Sequence, residues 1–341
     1  MRAEFARGGF DEFAGDPVRG EIGAGVAVTV AGRPVVDLWA GYADPGRKHP
    51  WLRDTLANVF SSSKGITAIL AHRLVEQGRL DLDAPVARYW PEFATGGKED
   101  ITAHMLLSHR AGLAAVREPL APEDTYDWKR MTEALAAERP WRAPGENHGY
   151  HAFTFGWLVG ELIRRVTDCT PGRFLREEVA GPLGLDLHIG LDTAHHSRVA
   201  GLTPLPSPEP GSEEMQLVGR IISAPESVSA KAFTNPPTLL APGEVNTARW
   251  REAEIPAANA HATARSLAAL YGALAAGKIL AQDSVSRCSR ETSSGPDEVL
   301  RIPTRFSLGF MLSRPGASFG RGPNSFGHRD AVRRSARCRG S

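Results

Sequence analysis

The chain has 341 residues, 42% of them apolar and 23% charged, a composition that excludes disordered, collagen-like and coiled-coil proteins. Its 40 basic and 39 acidic residues leave a formal net charge of +1, so no overall field favours nucleic acid or an anionic membrane surface. Three cysteines, Cys169, Cys288 and Cys338, are far apart without a CxxC pair, which argues against a disulfide framework and a zinc site. No apolar stretch approaches about 18 residues, so we predict no signal peptide, no membrane span and a cytoplasmic location.

A hairpin and a serine-led helix are the clearest predicted elements of the first third. Residues 22–42 contain two β-rich runs in which Val26, Val28 and Val30 alternate with small or polar residues, which predicts an antiparallel hairpin that packs one face. Apolar residues at helical spacing follow the serines at 61–63. Because serine is a preferred helix N-cap, we expect the helix to begin at this cluster.

The middle of the chain is mainly helical, and strands return at its end. Helical patterns cover residues 101–115 and 153–167, and another begins near Thr263. The proline-rich stretch 200–247 predicts a long irregular excursion over the surface. Apolar side chains alternate again over residues 306–312, which is typical of a strand.

These elements indicate an α/β (α+β) fold. We expect an antiparallel sheet formed by strands from both ends of the chain and flanked by helices. Residues 1–60 and 263–341 would form this sheet region, and residues 61–262 the mainly helical region, all within one domain, 1–341.

The first candidate for chemistry is the S-x-x-K sequence from Ser61 to Lys64. An i, i+3 pair lies on one face of a helix, so the lysine amine can reach the serine oxygen. A buried lysine can act as a base or proton relay, and the free N–H groups at a helix N-terminus stabilise negative charge. The alternative is an ordinary capping serine followed by a solvated lysine.

Two further candidates lie downstream. Tyr150 lies in a loop rich in Gly, Asn and Pro before a helix, where its phenol can face a cleft and serve as a general base. The alternative is a half-buried core tyrosine with a satisfied hydroxyl. The pair Gly327 and His328 closes a late strand pattern.

In this order and spacing, the three motifs resemble those of the serine β-lactamase and penicillin-binding-protein superfamily. The likeness is closest to its class C-like esterase branch, the family VIII carboxylesterases. It covers most of the chain, in the segments 58–68, 78–93, 101–113, 143–167, 181–191 and 255–277.

The resemblance implies roles for individual residues. Ser61 would be the nucleophile that forms an acyl-enzyme, Lys64 its hydrogen-bonded amine, and Tyr150 the tyrosine of the Y-x-N element. Ala152 replaces the asparagine of that element, and His328 replaces the lysine of the family's K-T-G motif. The oxyanion hole would combine the N–H of Ser61 with one from the strand just after the third motif.

The end of the sequence departs from the family pattern. Asp330 occupies the place of a glycine, and the arginine-rich tail 329–341 has no strand alternation and no helical core pattern. We expect a C-terminal truncation, with a frameshift or premature end after His328 as its hypothesised cause. It would leave the first hairpin or the 306–312 strand without a partner and the Ser61 helix less well buried. The oxyanion hole would also be poorly formed, which costs about 3 kcal/mol of transition-state stabilisation.

Other motifs offer no competing chemistry. Residues 316–320 fit G-x-S-x-G, but no helix pattern follows and the histidine precedes the aspartate, so this segment is predicted to be a turn between strands. His104, His109, His195 and His196 are interpreted as capping or surface histidines, so no metal site and no cofactor is predicted.

The sequence thus predicts a serine hydrolase that cleaves small carboxylic esters through an acyl-enzyme and binds neither nucleic acid nor a membrane. One alternative is a β-lactamase, or a D-aminopeptidase- or DD-peptidase-like amidase. Another is an inactive, truncated remnant or binding protein of the same fold. If the protein is an esterase, we expect the missing C-terminus to impair its activity. The sequence leaves the oligomeric state open.

Overall fold

The structure is a computed structural model that describes residues 22–203, 208, 210–320, 322, 325–329 and 335–338. The strands are β1 Gly23–Val30, β2 Arg33–Gly41, β3 Ala57–Asn58, β4 Leu187–His188, β5 His261–Ala262, β6 Ser293–Pro296, β7 Pro303–Phe306, β8 Met311–Leu312, β9 Phe326–Arg329 and β10 Ser335–Cys338. The helices are α1 Ser62–Glu76, α2 Ala103–Leu107, α3 Trp128–Ala137, α4 Thr154–Thr167, α5 Pro171–Leu175, α6 Glu213–Ser223, α7 Val228–Thr234, α8 Ala248–Glu252, α9 Ala264–Ala275 and α10 Gln282–Ser289. Short 3-10 turns lie between them, and a π-turn, Arg176–Ala180, extends α5.

The strands form three antiparallel sheets. Strands β1 and β2 make a hairpin, β3-β5-β4 make a small central sheet, and the C-terminal strands are ordered β10-β9-β8-β7-β6. Helices surround these sheets and fill the middle of the chain. The predicted mixed α/β class is therefore confirmed.

The strands from the two ends of the chain do not share hydrogen bonds within the described residues. Instead, β1, β2 and β10 all lie against helix α9, which connects the N-terminal hairpin to the five-stranded sheet. The hairpin approaches α9 closely at Gly272, where an added Cβ would lie only 2.6 Å from Thr29 Oγ1 of β1. Only small or short side chains fit such an approach. The valines of β1 therefore face outward, with Val30 58% exposed, although their alternation suggested a packing face.

Helix α1 is the central element of the fold. It begins directly after Ser61, as predicted, and 12 of its 15 residues are buried. It packs against α4, α5 and strand β9. The expectation of a less well buried helix is therefore wrong.

Several other helices and strands differ from those that the local sequence patterns predict. The helix expected over 101–115 is confined to α2, because His109 and Gly112 adopt positive φ values of 60° and 72°. The stretch 200–247 contains helices α6 and α7, each capped by a serine side chain, Ser212 and Ser227. The alternation over 306–312 belongs to two short strands, β7 and β8, joined by a buried turn.

The helices 153–167 and from Thr263 are confirmed as α4 and α9. The tail, which lacks alternation, nevertheless includes β10, whose backbone pairs with β9. Backbone pairing at a free sheet edge does not require a side-chain pattern. In the part of the chain that the structure describes, no helix is long and apolar enough to cross a membrane.

Acid should destabilise this fold, because three buried histidines are neutral in the folded state. Burial lowers the pKa of His72 and of His151 to about 4 and that of His261 to about 3, from the usual 6.5. Each neutral histidine contributes stability that is complete above pH 6.5 and is lost as the pH falls toward its folded pKa.

We expect His72→Gln to flatten the pH dependence between pH 6 and 4.5 by about 1.4 kcal/mol per pH unit. Glutamine can still donate to Leu308 O, the acceptor 2.9 Å from His72 Nε2, but takes up no proton. Urea unfolding at a series of pH values measures this. Equal slopes for the wild type and His72→Gln would contradict the prediction.

Candidate active site

Ser61 lies where strand β3 turns into helix α1. The turn passes through Phe60, a non-glycine residue with φ of 38°, which is an unfavourable left-handed conformation. Ser61 occupies the N-cap position with helical φ and ψ of −63° and −14°, and its side chain accepts no capping hydrogen bond. The hydroxyl is thus not a helix cap, and that alternative explanation of the serine is wrong.

Lys64 lies one helical turn beyond Ser61 and is fully buried. Its Nζ donates to Ser61 Oγ at 3.2 Å and to the carbonyl oxygen of Ala257 at 3.0 Å. A buried ammonium requires such partners, since an unpaired charge away from water costs several kcal/mol. The alternative of a solvated lysine is wrong.

Tyr150 reaches the same serine from a distant loop. Its phenolic oxygen lies 2.9 Å from Ser61 Oγ, and its ring centroid lies 4.8 Å from Lys64 Nζ. The side chain is 6% exposed, and its hydroxyl donates to Ser61 Oγ. The structure thus brings together the three side chains that the motifs suggested.

The segment 255–260 holds the carbonyl that accepts from Lys64. Thr67 Oγ1, on α1, donates to Pro256 O at 2.8 Å, and Ser63 Oγ accepts from Ala260 N at 3.0 Å. The fully buried Asn259 closes the turn by accepting from Ile255 N and donating to two carbonyls. The sequence could not identify Ala257, because its functional group is a backbone oxygen.

The third motif lies on β9, in the five-stranded sheet. His328 is fully buried, and its ring centroid lies 6.1 Å from that of Tyr150. Gly327 precedes it and pairs with Met311 on one side and Arg337 on the other. Ala152 is buried in the apolar core, where its methyl group offers no hydrogen bond. Asp330 lies outside the described residues.

Sequence reasoning missed two residues beside Tyr150. His109 is 1% exposed and its ring packs 5.1 Å from that of Tyr150, so its interpretation as a capping or surface histidine is wrong. Asp297, in the loop between β6 and β7, accepts from the backbone N–H of Tyr150. The segment 101–113, which carries the family likeness, offered a signal for His109. Nothing local offered one for Asp297, 147 residues from Tyr150.

Burial controls the charge around Tyr150. It lowers the pKa of His109 well below the usual range and that of His151 to about 4, and the nearby charges of Lys64 and, for His109, of His151 act in the same direction. Both rings are therefore neutral at pH 7. Burial also raises the pKa of Asp297. Hydrogen bonds from the N–H groups of Leu300, Tyr150 and Val299 act in the opposite direction, because they stabilise the charged form.

The competing sites gain no support. The serine of the G-x-S-x-G segment, Ser318, donates to Gly320 O in the loop after β8, and the next described element is strand β9, not a helix. Among the residues that the structure describes, no group of three His, Cys, Asp or Glu side chains could hold a metal ion.

Chemically, the arrangement can activate a hydroxyl. Ser61 Oγ has a phenol and an amine within hydrogen-bond reach, and either can accept the serine proton when it is in its basic form. Placement at the N-terminus of a buried helix favours negative charge on or next to that oxygen.

Comparison with known proteins gives matches along almost the whole chain. The chain is 38% identical to the esterase/beta-lactamase LipL of Mycobacterium tuberculosis over 318 residues, which are 90% of this chain and 71% of LipL. Its fold matches a penicillin-binding protein homologue from Caulobacter crescentus with a TM-score of 0.82 at 38% identity, covering 96% of this chain and 85% of that one. It matches a family VIII carboxylesterase with a TM-score of 0.81 at 36% identity, covering 95% and 84%. The profile of the family described as Beta-lactamase matches residues 10–329, and the chain belongs to this family.

Proposed function

We propose that this protein is a serine hydrolase that cleaves carboxylic esters through an acyl-enzyme on Ser61. The observation that carries the proposal is the contact of Ser61 Oγ with both Lys64 Nζ and the Tyr150 phenol. The names of its relatives, an esterase/beta-lactamase and a carboxylesterase, support an ester as the substrate.

Acylation would proceed by attack of Ser61 Oγ on the ester carbonyl carbon, while Tyr150 or Lys64 accepts the serine proton. The bond from the carbonyl carbon to the alkoxy oxygen then breaks, and the leaving alcohol takes up that proton. In the second half, water attacks the acyl carbonyl carbon while the same group accepts its proton. The bond from that carbon to Ser61 Oγ then breaks, Oγ takes up the proton, and the carboxylic acid leaves. The N–H group of Ser61 would stabilise the oxyanion. The second donor, predicted just after the third motif, lies outside the described residues.

Two substitutions favour an ester over a β-lactam or a peptide. Ala152 has no side-chain amide to contact the substrate, and His328 replaces the lysine that would hold a substrate carboxylate. The intact contact among Ser61, Lys64 and Tyr150 argues against an inactive remnant. The cytoplasmic location and the small size of the ester stay predictions.

Replacing the nucleophile tests the proposal directly. Ser61→Ala should lower kcat/KM for p-nitrophenyl acetate by at least about 1000-fold, because no other group can form the acyl-enzyme. A fluorophosphonate probe should label the wild type and leave Ser61→Ala unlabelled. Ser318→Ala, in the G-x-S-x-G segment, is the matched control and should label like the wild type. Labelling that persists in Ser61→Ala would refute the assignment.

Removing the phenolic oxygen tests the role of Tyr150. Tyr150→Phe keeps the ring but removes the group 2.9 Å from Ser61 Oγ, so we expect kcat to fall by about 100-fold or more. Tyr89→Phe, whose hydroxyl accepts from Asp81 N on the exposed side, should retain wild-type turnover. Turnover of Tyr150→Phe within threefold of the wild type would instead favour Lys64 as the base.

Substrate preference separates esterase from β-lactamase. We expect kcat/KM for p-nitrophenyl acetate to exceed that for nitrocefin, because the groups that would bind a β-lactam are replaced at positions 152 and 328. Parallel assays of both substrates on one preparation measure the ratio. Hydrolysis of nitrocefin alone would reverse the assignment.

A further inference from the structure

The loop that carries Tyr150 is held through three consecutive backbone N–H groups. Gly149 N donates to His109 O at 3.0 Å, and His151 N donates to His109 Nδ1 at 3.1 Å. Between them, Tyr150 N donates to the carboxylate of Asp297, 3.1 Å from either oxygen. The acceptors come from segments about 40 residues before and about 150 residues after the loop.

His109 stands at a position that ordinarily suits a different residue. It follows helix α2 with φ of 60°, a left-handed conformation for which glycine or asparagine is preferred at a helix end. A buried imidazole there adds a conformational cost and a desolvation cost. The imidazole makes specific contacts in return. Its Nδ1 accepts a hydrogen bond from His151 N, and the ring packs against the rings of Tyr150 and Phe306. Since Nδ1 is the acceptor, the neutral ring carries its proton on Nε2.

The side chain of Asp297 also accepts several hydrogen bonds. Its buried carboxylate accepts from Val299 N and Leu300 N at 2.8 Å each and from Thr304 Oγ1 at 3.1 Å, in addition to Tyr150 N. These bonds fold the loop between β6 and β7 around the carboxylate, so the acceptor for Tyr150 is rigidly placed.

We propose that His109 and Asp297 are positioning residues that together hold the Tyr150 backbone so that its phenol stays in contact with Ser61 Oγ. Neither touches the reacting atoms, and both act through Tyr150. This inference rests on the proposed function, because the contact between the Tyr150 phenol and Ser61 Oγ matters for turnover only if Ser61 is the nucleophile.

A pair of substitutions at His109 separates positioning from simple loss of packing. Both His109→Ala and His109→Asn remove the ring, but asparagine places Oδ1 close to the former Nδ1 and tolerates the positive φ. We expect His109→Ala to lower kcat for p-nitrophenyl acetate by about 10- to 100-fold with KM within about twofold, and His109→Asn to recover most of that loss. Asp297→Asn, which keeps one acceptor oxygen and loses the other, should give an intermediate kcat.

A double-mutant cycle with Tyr150→Phe tests whether the effect passes through the phenol. In the Tyr150→Phe background, His109→Ala should change kcat by less than about twofold, because the group being positioned is gone. His72→Gln, at another buried histidine outside the Tyr150 loop, should keep kcat within about twofold of the wild type. Circular dichroism and thermal unfolding identify any variant that fails to fold, in which case His109→Asn and Asp297→Asn carry the comparison.

Hydrogen exchange at residues 149–151 gives a readout that does not depend on turnover. Exchange should be slow in the wild type and at least tenfold faster in His109→Ala and Asp297→Asn. Equal kcat for wild type and His109→Ala, equal losses in His109→Ala and His109→Asn, an unchanged loss in the Tyr150→Phe background, or unchanged exchange would each overturn the positioning role. Absence of Ser61-dependent turnover in the wild type would instead overturn the proposed function, and the exchange result would then decide whether these residues hold the loop.

Discussion

The interaction on which the site depends is the burial of the Lys64 amine between Ser61 Oγ and the carbonyl oxygen of Ala257. A lysine with no exposed surface must have its donors accepted within the protein, since an unpaired buried ammonium costs several kcal/mol, a large part of the stability of a typical domain. That requirement fixes two segments at once: the first turn of α1, which carries both residues, and the turn 255–260, which supplies the carbonyl. The position of the serine hydroxyl is therefore a consequence of tertiary structure and not of helix capping.

The same logic extends outward from the lysine. The turn 255–260 is tied back to α1 by Thr67 and Ser63 and closed by Asn259, so the carbonyl of Ala257 cannot move independently of the helix. On the other side, Tyr150 is held through its backbone and meets Ser61 only through its phenolic oxygen. Charge at the site stays on few groups, because burial keeps His109 and His151 neutral. A hydroxyl flanked by a phenol and an amine in a region of low polarity has stronger electrostatic interactions than it would in water.

The sequence alone predicts those features of the fold and the site that depend on side chains in a local pattern. The spacing of Ser61 and Lys64 on one helix, the start of α1 and the helix that follows Tyr150 all follow from helical periodicity. It failed where the determinant is a backbone group or a long-range contact. Ala257 acts through its carbonyl, and Asp297 pairs with a backbone N–H 147 residues away, so neither leaves a mark in its neighbourhood. The outward-facing valines of β1 show the same limit, since alternation reveals two faces but not which of them a helix will approach.

Backbone strain shows why His109 was misjudged. Six non-glycine residues in the described part of the chain have positive φ, and three of them, Phe60, His109 and Arg301, lie in the segments that carry Ser61, hold the Tyr150 loop and enclose Asp297. Each such conformation costs on the order of 1–3 kcal/mol and persists only where surrounding contacts determine it. The hydrogen bonds of the Lys64 amine, of the Asp297 carboxylate and of the three N–H groups at 149–151 are such contacts. Local preference predicts relaxed turns at these positions, and it fails there because the buried polar groups of the site need their partners at fixed points in space.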